Sequence, residues 1–317
     1  MAKYVVTGGA GFIGSHMVEE LLRRGETVRV ADDFSTGSRD NLRAGVELVD
    51  GSIANPDVAR RAVAGCDYVI HLAAIPSVPR SVDDPLTSHR ANVEGALHML
   101  LAARDAHVKR FVFAGSSSVY GNTVELPKRE DMRPTPLSPY ALQKLIGEEY
   151  GRMFHELYGL NTVTTRFFNV FGPRQQPGSP YSGVISLFID ALTRGARPTI
   201  HGDGEQTRDF TYVGDVVNGV LACCTADAQK VAGHIINVAA GGRISLLDLV
   251  KTLQRITGQT AEPVFGPTRE GDVKDSQAEI TKARQLLNFE PKTTLEDGLR
   301  KTVAWFESTK ATAGARS

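Results

Sequence analysis

Two hydrophobic patterns alternate along the first half of the chain. Short apolar runs rich in β-branched residues predict buried strands, and longer segments with apolar residues at helical spacing predict amphipathic helices. The regular alternation of the two predicts an α/β fold with a doubly wound parallel sheet. The predicted strands are 3–7, 27–32, 68–72, 110–114 and 161–168, and the predicted helices are 15–24, 57–64, 91–105 and 139–158.

The pattern becomes less regular after Phe171. The loops are longer and richer in glycine and proline, as in 172–183 and 201–208. Such material commonly forms a smaller lobe over the carboxyl edge of a parallel sheet. We therefore expect a first domain in residues 1–170 and a smaller C-terminal α/β lobe in 171–317, with part of 208–240 returning to the first domain.

Composition narrows the functional classes. The chain has 317 residues with 36 basic and 36 acidic side chains, so the basic surplus of a nucleic-acid-binding protein is missing. It has no apolar run of about 18 residues, which predicts no membrane span, and the first strand starts too early for a cleavable signal segment. Cys66, Cys223 and Cys224 lack metal-site spacing, so we expect buried thiols and a cytoplasmic protein.

A glycine-rich turn with the spacing GxxGxxG directly follows the first predicted strand. Glycines permit a tight turn and a close approach of the backbone to a pyrophosphate, which the amino end of the next helix attracts. A plain turn is the alternative, but the position between a strand and a helix favours a dinucleotide site in a Rossmann-type domain. The residues of this turn are Gly8, Gly11, Phe12, Ile13 and Gly14.

Acidic and small residues at the ends of later strands extend this site. Asp32 ends the second strand, where a carboxylate accepts hydrogen bonds from a ribose 2′-hydroxyl and repels a 2′-phosphate. This selects NAD over NADP, and the adjacent Asp33 is the alternative for the same role. Leu72, Ala73 and Ala74 follow another strand with side chains small enough for a dinucleotide to pass closely.

The segment that begins the helix 139–158 carries the most informative pair. Tyr140 and Lys144 are one turn apart, so they share a face of the helix. A nearby ammonium group lowers the pKa of a tyrosine, which ionises near pH ~10 when free, and makes it a usable base. An exposed helical pair is the alternative. The expected buried stripe of this helix excludes both residues and consists of Leu142, Leu145, Ile146, Met153, Phe154 and Leu157.

Serines cluster where the strand 110–114 ends. Hydroxyl groups at the carboxyl end of such a strand lie where ligands bind in a parallel sheet. Ser116 is the stronger candidate for contact with a substrate, whereas Ser118 is explained as well by a turn that needs side-chain hydrogen bonds.

With these motifs in order, the chain resembles an extended short-chain dehydrogenase/reductase of the NAD-dependent epimerase/dehydratase type. The resemblance runs from TGGAGFIGSH near the start to REGDVKDSQAEITKAR near the end. It implies that Tyr140 is the catalytic acid and base, that Lys144 holds the nicotinamide ribose, and that Ser116 binds the substrate hydroxyl. It further implies cofactor contacts from Asn92 and Phe167, and help from Ser117 with the substrate.

The resemblance also implies a site for a UDP-sugar. Asn169, Arg208 and Arg269 match residues that contact the diphosphate, and Asp272 matches the acid that faces the nucleoside ribose. One departure is Ser52, which stands where relatives carry an aspartate against the adenine, so either adenine binding is weaker here or the backbone of Ile53 supplies the contact. The sugar pocket is expected to include Ser77, Gln175, Val184 and Ser276, the last at the position that faces the C2 substituent.

The reaction that the resemblance implies is epimerisation at C4. No carboxylate follows Ser116 in the serine cluster, which argues against the dehydratases of the family. We expect a UDP-glucose/galactose 4-epimerase with tightly bound NAD, and UDP-N-acetylhexosamines as further substrates. The alternatives are a UDP-glucuronate 4-epimerase or decarboxylase, against which Gln176 argues, and a non-catalytic NAD sensor. Relatives dimerise through two helices, for which 91–105 and 139–158 are the candidates.

Overall fold

The computed structural model describes residues 1–177, 183–268 and 273–314, and its central feature is a seven-stranded parallel sheet. The described strands are β1 (Lys3–Thr7), β2 (Thr27–Asp32), β3 (Glu47–Asp50), β4 (Tyr68–His71), β5 (Arg110–Ser116), β6 (Thr162–Phe167), β7 (Val170–Phe171), β8 (Thr199–His201), β9 (Thr207–Arg208), β10 (Thr211–Tyr212), β11 (Ile235–Val238), β12 (Ile244–Ser245) and β13 (Val264–Gly266).

Helices connect these strands. The described α-helices are α1 (Phe12–Arg23), α2 (Pro56–Val63), α3 (Val78–Asp83), α4 (Pro85–His89), α5 (Gly95–Asp105), α6 (Pro139–Tyr158), α7 (Val184–Thr193), α8 (Val213–Thr225), α9 (Ala228–Val231), α10 (Leu246–Thr257), α11 (Thr281–Leu287) and α12 (Leu295–Gly314). Short 3₁₀ helices occupy Arg39–Asn41 and Ser117–Tyr120, and a π-helical segment, Arg90–Glu94, joins α4 to α5.

The sheet has the order β11-β6-β5-β4-β1-β2-β3. The chain first runs outward from β1 to β2 and β3, and then returns to β4 on the other side of β1. In such a doubly wound sheet, a crevice opens beyond the carboxyl ends of the strands where the direction reverses, here β1 and β4. The predicted fold class is therefore confirmed. The prediction missed β3, a half-exposed edge strand of four residues, and β11.

The sheet is covered on both faces, and each face has its own core. On one face, α1 and α8 pack against the sheet through residues such as Met17, Leu21 and Val220. On the other face, α2, α5 and α6 enclose a second cluster that includes Met99 and Phe113. Because both faces are buried, the strands are near-continuous apolar runs, as the sequence pattern indicated.

The C-terminal part forms a further core. Helices α7, α10 and α12 meet around Phe188, Leu249 and Phe306. The short pairs β8–β13 and β9–β12 lie in this part. The chain from α8 to β11 instead belongs to the main sheet, where β11 pairs with β6.

The predicted buried stripe of α6 is wrong. Leu142, Met153 and Leu157 are 49%, 41% and 65% exposed, and of the six predicted residues Phe154 alone is fully buried. The buried face of α6 instead consists mostly of small and polar residues, and at Gly147 the helix lies so close to β5 that a Cβ atom would be 2.2 Å from the Phe113 ring. The buried residues of α6 are Ala141, Gln143, Lys144, Gly147, Glu148, Gly151 and Phe154.

The described residues also bear on the expectations about membrane spans, cysteines and metal sites. Their helices include none that is long and apolar enough to cross a membrane. Cys66, Cys223 and Cys224 are buried free thiols. No cluster of metal-binding side chains occurs in the described ranges.

Candidate active site

The glycine turn forms the floor of the crevice beyond β1. Gly8 has a φ of +69°, and a Cβ atom there would lie 2.9 Å from the backbone of Ala73. A Cβ atom on Gly14 would lie 2.0 Å from the Gly8 carbonyl oxygen. Glycine is therefore needed at both positions, and α1 begins directly behind the turn, three residues earlier than predicted. Its N-cap, Gly11, offers no side chain to the first-turn amides, which fits a site for a pyrophosphate.

Asp32 fixes the shape of this turn. Its Oδ2 accepts a hydrogen bond from the Ala10 amide and its Oδ1 one from the Phe34 amide, both at 2.9 Å. Burial raises the pKa of Asp32. Each carboxylate oxygen retains a second lone pair, so the residue can also accept from ribose hydroxyl groups. The neighbouring Asp33 is exposed and caps a turn at Ser35.

Residues at the ends of six strands, β1 to β6, surround this cofactor crevice. All but one of the predicted cofactor residues line it, and Ser35 and Thr36 are additional lining residues that the sequence did not single out. Those predicted are Gly8, Gly11, Phe12, Ile13, Gly14, Asp32, Asp33, Ser52, Ile53, Leu72, Ala73, Ala74, Tyr140, Lys144 and Phe167.

Asn92 lies one layer behind the wall of the crevice. Its Oδ1 accepts the Ile75 amide at 2.8 Å, and its Nδ2 donates to Gln143 Oε1 at 2.8 Å. Asn92 belongs to the π-helical segment, an irregularity that often marks functional sites. Its contacts tie the wall at Ile75 to the catalytic helix α6.

A buried pair that the sequence analysis missed supports the other wall. The Thr7 hydroxyl oxygen accepts the Ala73 amide at 3.1 Å and lies 2.9 Å from His71 Nδ1. Desolvation lowers the pKa of His71 to about 3, so the ring is neutral, and Nδ1 shares a hydrogen bond with the Thr7 hydroxyl whose direction is set by the tautomer of the ring. The clue in the sequence was a histidine that ends a strand just before Leu72.

Ser116, Tyr140 and Lys144 meet above β5. Ser116 is the last residue of β5, and its oxygen accepts the Ser118 hydroxyl at 2.9 Å. The side chain of Ser138 caps α6 by accepting the Ala141 amide, as expected of an N-cap. This cap places Tyr140 in the first turn of the helix, beside the end of β5.

Burial shifts the pKa values of both Lys144 and Tyr140, and the shift of Tyr140 is opposite to the lowering that the sequence predicted, because desolvation outweighs the neighbouring groups. Lys144 is 5% exposed, and its Nζ donates to the Ala114 carbonyl at 2.8 Å and lies 5.9 Å from the centre of the Tyr140 ring. Desolvation lowers the pKa of Lys144 to about 8, which the Glu148 carboxylate opposes. Desolvation raises the pKa of Tyr140, and a hydrogen bond with Ser116 opposes that shift. A protonated Lys144 would stabilise the Tyr140 phenolate.

A second crevice meets the first at Tyr140 and Phe167. Its predicted lining residues are Ser116, Ser117, Tyr140, Asn169, Arg208 and Ser276. Lys128, a side chain only 2% exposed, also lines it, and the sequence gave no signal for this loop residue.

Three other predicted substrate residues, Ser77, Gln175 and Val184, are not among the lining residues of this crevice. Ser77 caps α3 by accepting the Arg80 amide at 3.2 Å, and the Gln175 amide donates to the Val170 carbonyl at 3.0 Å. Val184 is the first residue of α7 and packs on the C-terminal core. Arg269 and Asp272 lie outside the described residues.

Known proteins are similar to this chain over nearly its full length. The UDP-glucose 4-epimerase of Mycolicibacterium smegmatis is 38% identical over 311 residues, which are 96% of this chain and 98% of that protein. The crystal structure of a UDP-glucose 4-epimerase from Thermotoga maritima with UDP-glucose is 38% identical, with a TM-score of 0.94 and coverage of 97% and 99%. A UDP-N-acetylglucosamine 4-epimerase from Methanobrevibacter ruminantium is 37% identical, with a TM-score of 0.92 and the same coverage.

Less similar relatives include proteins named UDP-glucuronate 4-epimerase and UDP-glucuronic acid decarboxylase, at 34% and 31% identity. Residues 4–239 match the family described as the NAD dependent epimerase/dehydratase family. The match spans the glycine turn, the serine cluster and the Tyr140–Lys144 pair. The chain therefore belongs to this family, as an epimerase that uses NAD.

Proposed function

We propose that this protein is a UDP-hexose 4-epimerase that interconverts UDP-glucose and UDP-galactose. The observation that carries the proposal is the position of Ser116, Tyr140 and Lys144 where the two crevices meet. A proton-exchanging group at that point contacts both a cofactor and a substrate. The turn Ser117–Tyr120 contains no carboxylate that could help to eliminate water, so the chemistry stays at the level of reversible oxidation.

In this proposal the cofactor crevice holds NAD. The first turn of α1 faces the pyrophosphate, Asp32 accepts from the adenosine ribose, and Lys144 holds the nicotinamide ribose. Bound NAD supplies a reversible acceptor for the C4 hydride. Asn92 acts indirectly, through the wall at Ile75. Asp33, Ser52, Ile53 and the other lining residues complete the surface of the site.

Tyr140 moves the proton. It takes the proton of the C4 hydroxyl as C4 becomes a ketone, and returns it when the ketone is reduced from the opposite face. Ser116 holds the reacting oxygen, with Ser117 beside it, and Lys144 stabilises the phenolate. Because the proton and the hydride both return to the sugar, there is no net redox change, and the cofactor is not consumed.

The second crevice holds the UDP-sugar. Arg208 and Arg269 bind the diphosphate, since guanidinium groups pair with phosphate oxygens bidentately, and Asn169 assists. Asp272 faces the nucleoside ribose. Ser77, Gln175, Val184 and Ser276 are proposed for the sugar side. A small side chain at Ser276 leaves room for an acetamido group, so we propose UDP-N-acetylhexosamines as further substrates.

One observation favours a second candidate, a UDP-glucuronate 4-epimerase. A C6 carboxylate is costly to desolvate without a counter-charge, and the buried ammonium of Lys128 lines the substrate crevice. Gln176 stands where the uronate enzymes tend to carry arginine, which argues for the neutral hexoses.

We further propose a homodimer in the cytoplasm. The outward face of α6 carries Leu142, Met153 and Leu157 beside α5, and two copies of this face would bury them in a four-helix arrangement. Three buried free thiols fit a reducing compartment.

The test is turnover without added NAD. The purified protein is incubated separately with UDP-galactose, UDP-N-acetylgalactosamine and UDP-glucuronate, and the anomeric proton signals are followed by NMR. We expect conversion of UDP-galactose to UDP-glucose, with cofactor retained through purification. Conversion of UDP-glucuronate alone would replace the proposal by the second candidate, and no conversion in any tube, even with added NAD, would refute both.

A further inference from the structure

A buried ion pair lies directly beneath the catalytic residues. Glu148 is on α6, one turn after Lys144, and Arg166 is on β6. Their side chains are 0% and 1% exposed, with Arg166 Nη2 2.8 Å from Glu148 Oε2 and Nε 3.1 Å from Oε1. Nothing in the chemistry described above uses this pair.

The end of β5 is shaped to admit the carboxylate. Gly115 lies between Ala114, which accepts the Lys144 hydrogen bond, and Ser116. A Cβ atom on Gly115 would lie 2.7 Å from Glu148 Oε1. The same glycine is paired in register with Arg166. The absence of a side chain therefore lets the ion pair sit against the strand segment that holds both catalytic groups.

Arg166 is held in turn from its other side. Its guanidinium lies 4.6 Å from the ring centre of Tyr120, whose hydroxyl donates to Asn237 Oδ1 at 2.7 Å. Arg166 Nη1 is buried without an acceptor among the described residues. Burial raises the pKa of Glu148, and the hydrogen bonds and charge of Arg166 oppose that shift. The cation depends on Glu148 for its charge compensation and holds the carboxylate in place.

The described side chains nearest to Lys144 are uncharged except for Glu148, so Glu148 is the group whose charge acts on the ammonium. On β4, His71 is neutral because its pKa is held at about 3. On β5, the ring of Phe113 lies 5.1 Å from Lys144 Nζ, and the uncharged Ala114 carbonyl accepts a hydrogen bond from it. On α6, Tyr140 is neutral and the Glu148 carboxylate raises the pKa of Lys144 against desolvation. Beyond Arg166 lie two further charged groups, Glu130 and Lys282.

We propose that Glu148 is a positioning residue for catalysis: held by Arg166, its carboxylate keeps Lys144 protonated and thereby sets the strength of Tyr140 as a base. The inference rests on the proposed roles of Tyr140 and Lys144. If the ion pair were purely structural, its loss would not change the pH dependence of turnover. In the proposed role, its loss changes the pH at which Lys144 gives up its proton, and the pH dependence of turnover changes with it.

The test is the pH dependence of kcat for UDP-galactose in the NAD-containing enzyme. In Glu148→Gln, the ammonium of Lys144 loses its negative neighbour and gives up its proton more easily. We expect the alkaline limb of the profile to move to lower pH by about one unit. The amount of bound NAD should not change, and neither should the KM for UDP-galactose measured at pH values below that limb. The matched control is Glu149→Gln, which removes the same charge from the next, exposed position and should leave the limb in place.

Because Glu148→Gln leaves Arg166 buried without a counter-charge, a second variant removes both charges, Glu148→Gln with Arg166→Gln. It should show a shift in the same direction. An active wild-type enzyme whose alkaline limb is unmoved in these variants would overturn the inference and leave the proposed function intact. If neither variant folds with NAD, the pair is a folding element and the inference is withdrawn. An inactive wild type would count against the proposed function itself.

Discussion

The two faces of α6 have opposite chemistry. The face toward the sheet carries Lys144, Gly147 and Glu148, all buried, whereas the outward face exposes Leu142 and Leu157. In an ordinary amphipathic helix the apolar stripe faces the core. The difference shows that this helix is positioned by its close approach to β5 and by the hydrogen bonds and ion pair of its buried polar side chains, and not by its most apolar side.

Close approach explains the inward face. Gly147 lies over the ring of Phe113, and Gly151 lies beside Thr164 on β6. Small residues bring the helix near the sheet, and this nearness lets Lys144 reach the Ala114 carbonyl. The apolar residues on the other side are then left for a different surface, which we propose to be a second copy of the chain.

The largest expected effect is on kcat and comes from a substitution on the inward face of α6. Tyr140→Phe keeps the ring but removes the hydroxyl that exchanges the proton. General acid–base groups typically contribute 10²–10⁴-fold, so we expect kcat to fall by about 10³-fold, or ~4 kcal/mol. The measurement is initial turnover of UDP-galactose by NMR.

Retained NAD, read from the absorbance of the denatured supernatant, is the control for this variant and should not change. A variant with full activity would show that another group is the base. Loss of NAD together with activity would point to a damaged cofactor site and leave the role of Tyr140 without support.

The second-largest effect is expected from a substitution that tests how closely α6 approaches β5. In Gly147→Ala the added methyl group would lie 2.2 Å from Phe113 Cζ, so the ring or the helix must shift. Overpacking of this kind costs about 1–3 kcal/mol, partly offset by the ~1 kcal/mol that alanine gains in a helix. We expect a net destabilisation of up to about 2 kcal/mol in urea unfolding.

The matched control is Gly151→Ala, four residues along the same face. There the new methyl group would have its nearest neighbour, Thr164 Oγ1, at 3.5 Å, which is ordinary contact. This variant should be neutral or more stable by up to ~1 kcal/mol. If the two substitutions changed the free energy of unfolding equally, the idea that α6 lies closer to its neighbours at Gly147 than at Gly151 would be refuted.

The smallest effect on the folded subunit is expected from the outward face. Leu157→Lys changes a side chain that is 65% exposed, so the stability of the monomer should stay within about 0.5 kcal/mol. If the outward face of α6 joins two copies of the chain, light scattering should give a molar mass of twice 34.2 kDa for the wild-type protein and that of one chain for Leu157→Lys.

Val124→Lys is the control for this variant, since Val124 is 94% exposed in a loop away from α6. It should leave the molar mass unchanged. A Leu157→Lys protein that remains dimeric would remove α6 from the interface.

The local motifs were predictable because each depends on residues close in sequence. The bounds of β1, β2 and α6, the serine cap of α6, and the glycine turn all follow from short patterns that the structure reproduces. The support behind the site was not predictable. Thr7 and His71 are 64 residues apart, as the printed sequence shows, and their contact exists only because β1 and β4 are neighbours in the sheet.

By itself, the sequence determined the fold class, the cofactor turn and the Tyr140–Lys144 pair, because strand and helix periodicity and one-turn spacing are local properties of the chain. The tertiary structure decided which face of α6 is buried, which neighbours Asn92 and Glu148 contact, and that the two crevices meet at Tyr140. Burial and charge interactions depend on packing between distant segments. A hydrophobic pattern cannot report them when close approach to the sheet outweighs the preference of apolar side chains for the core.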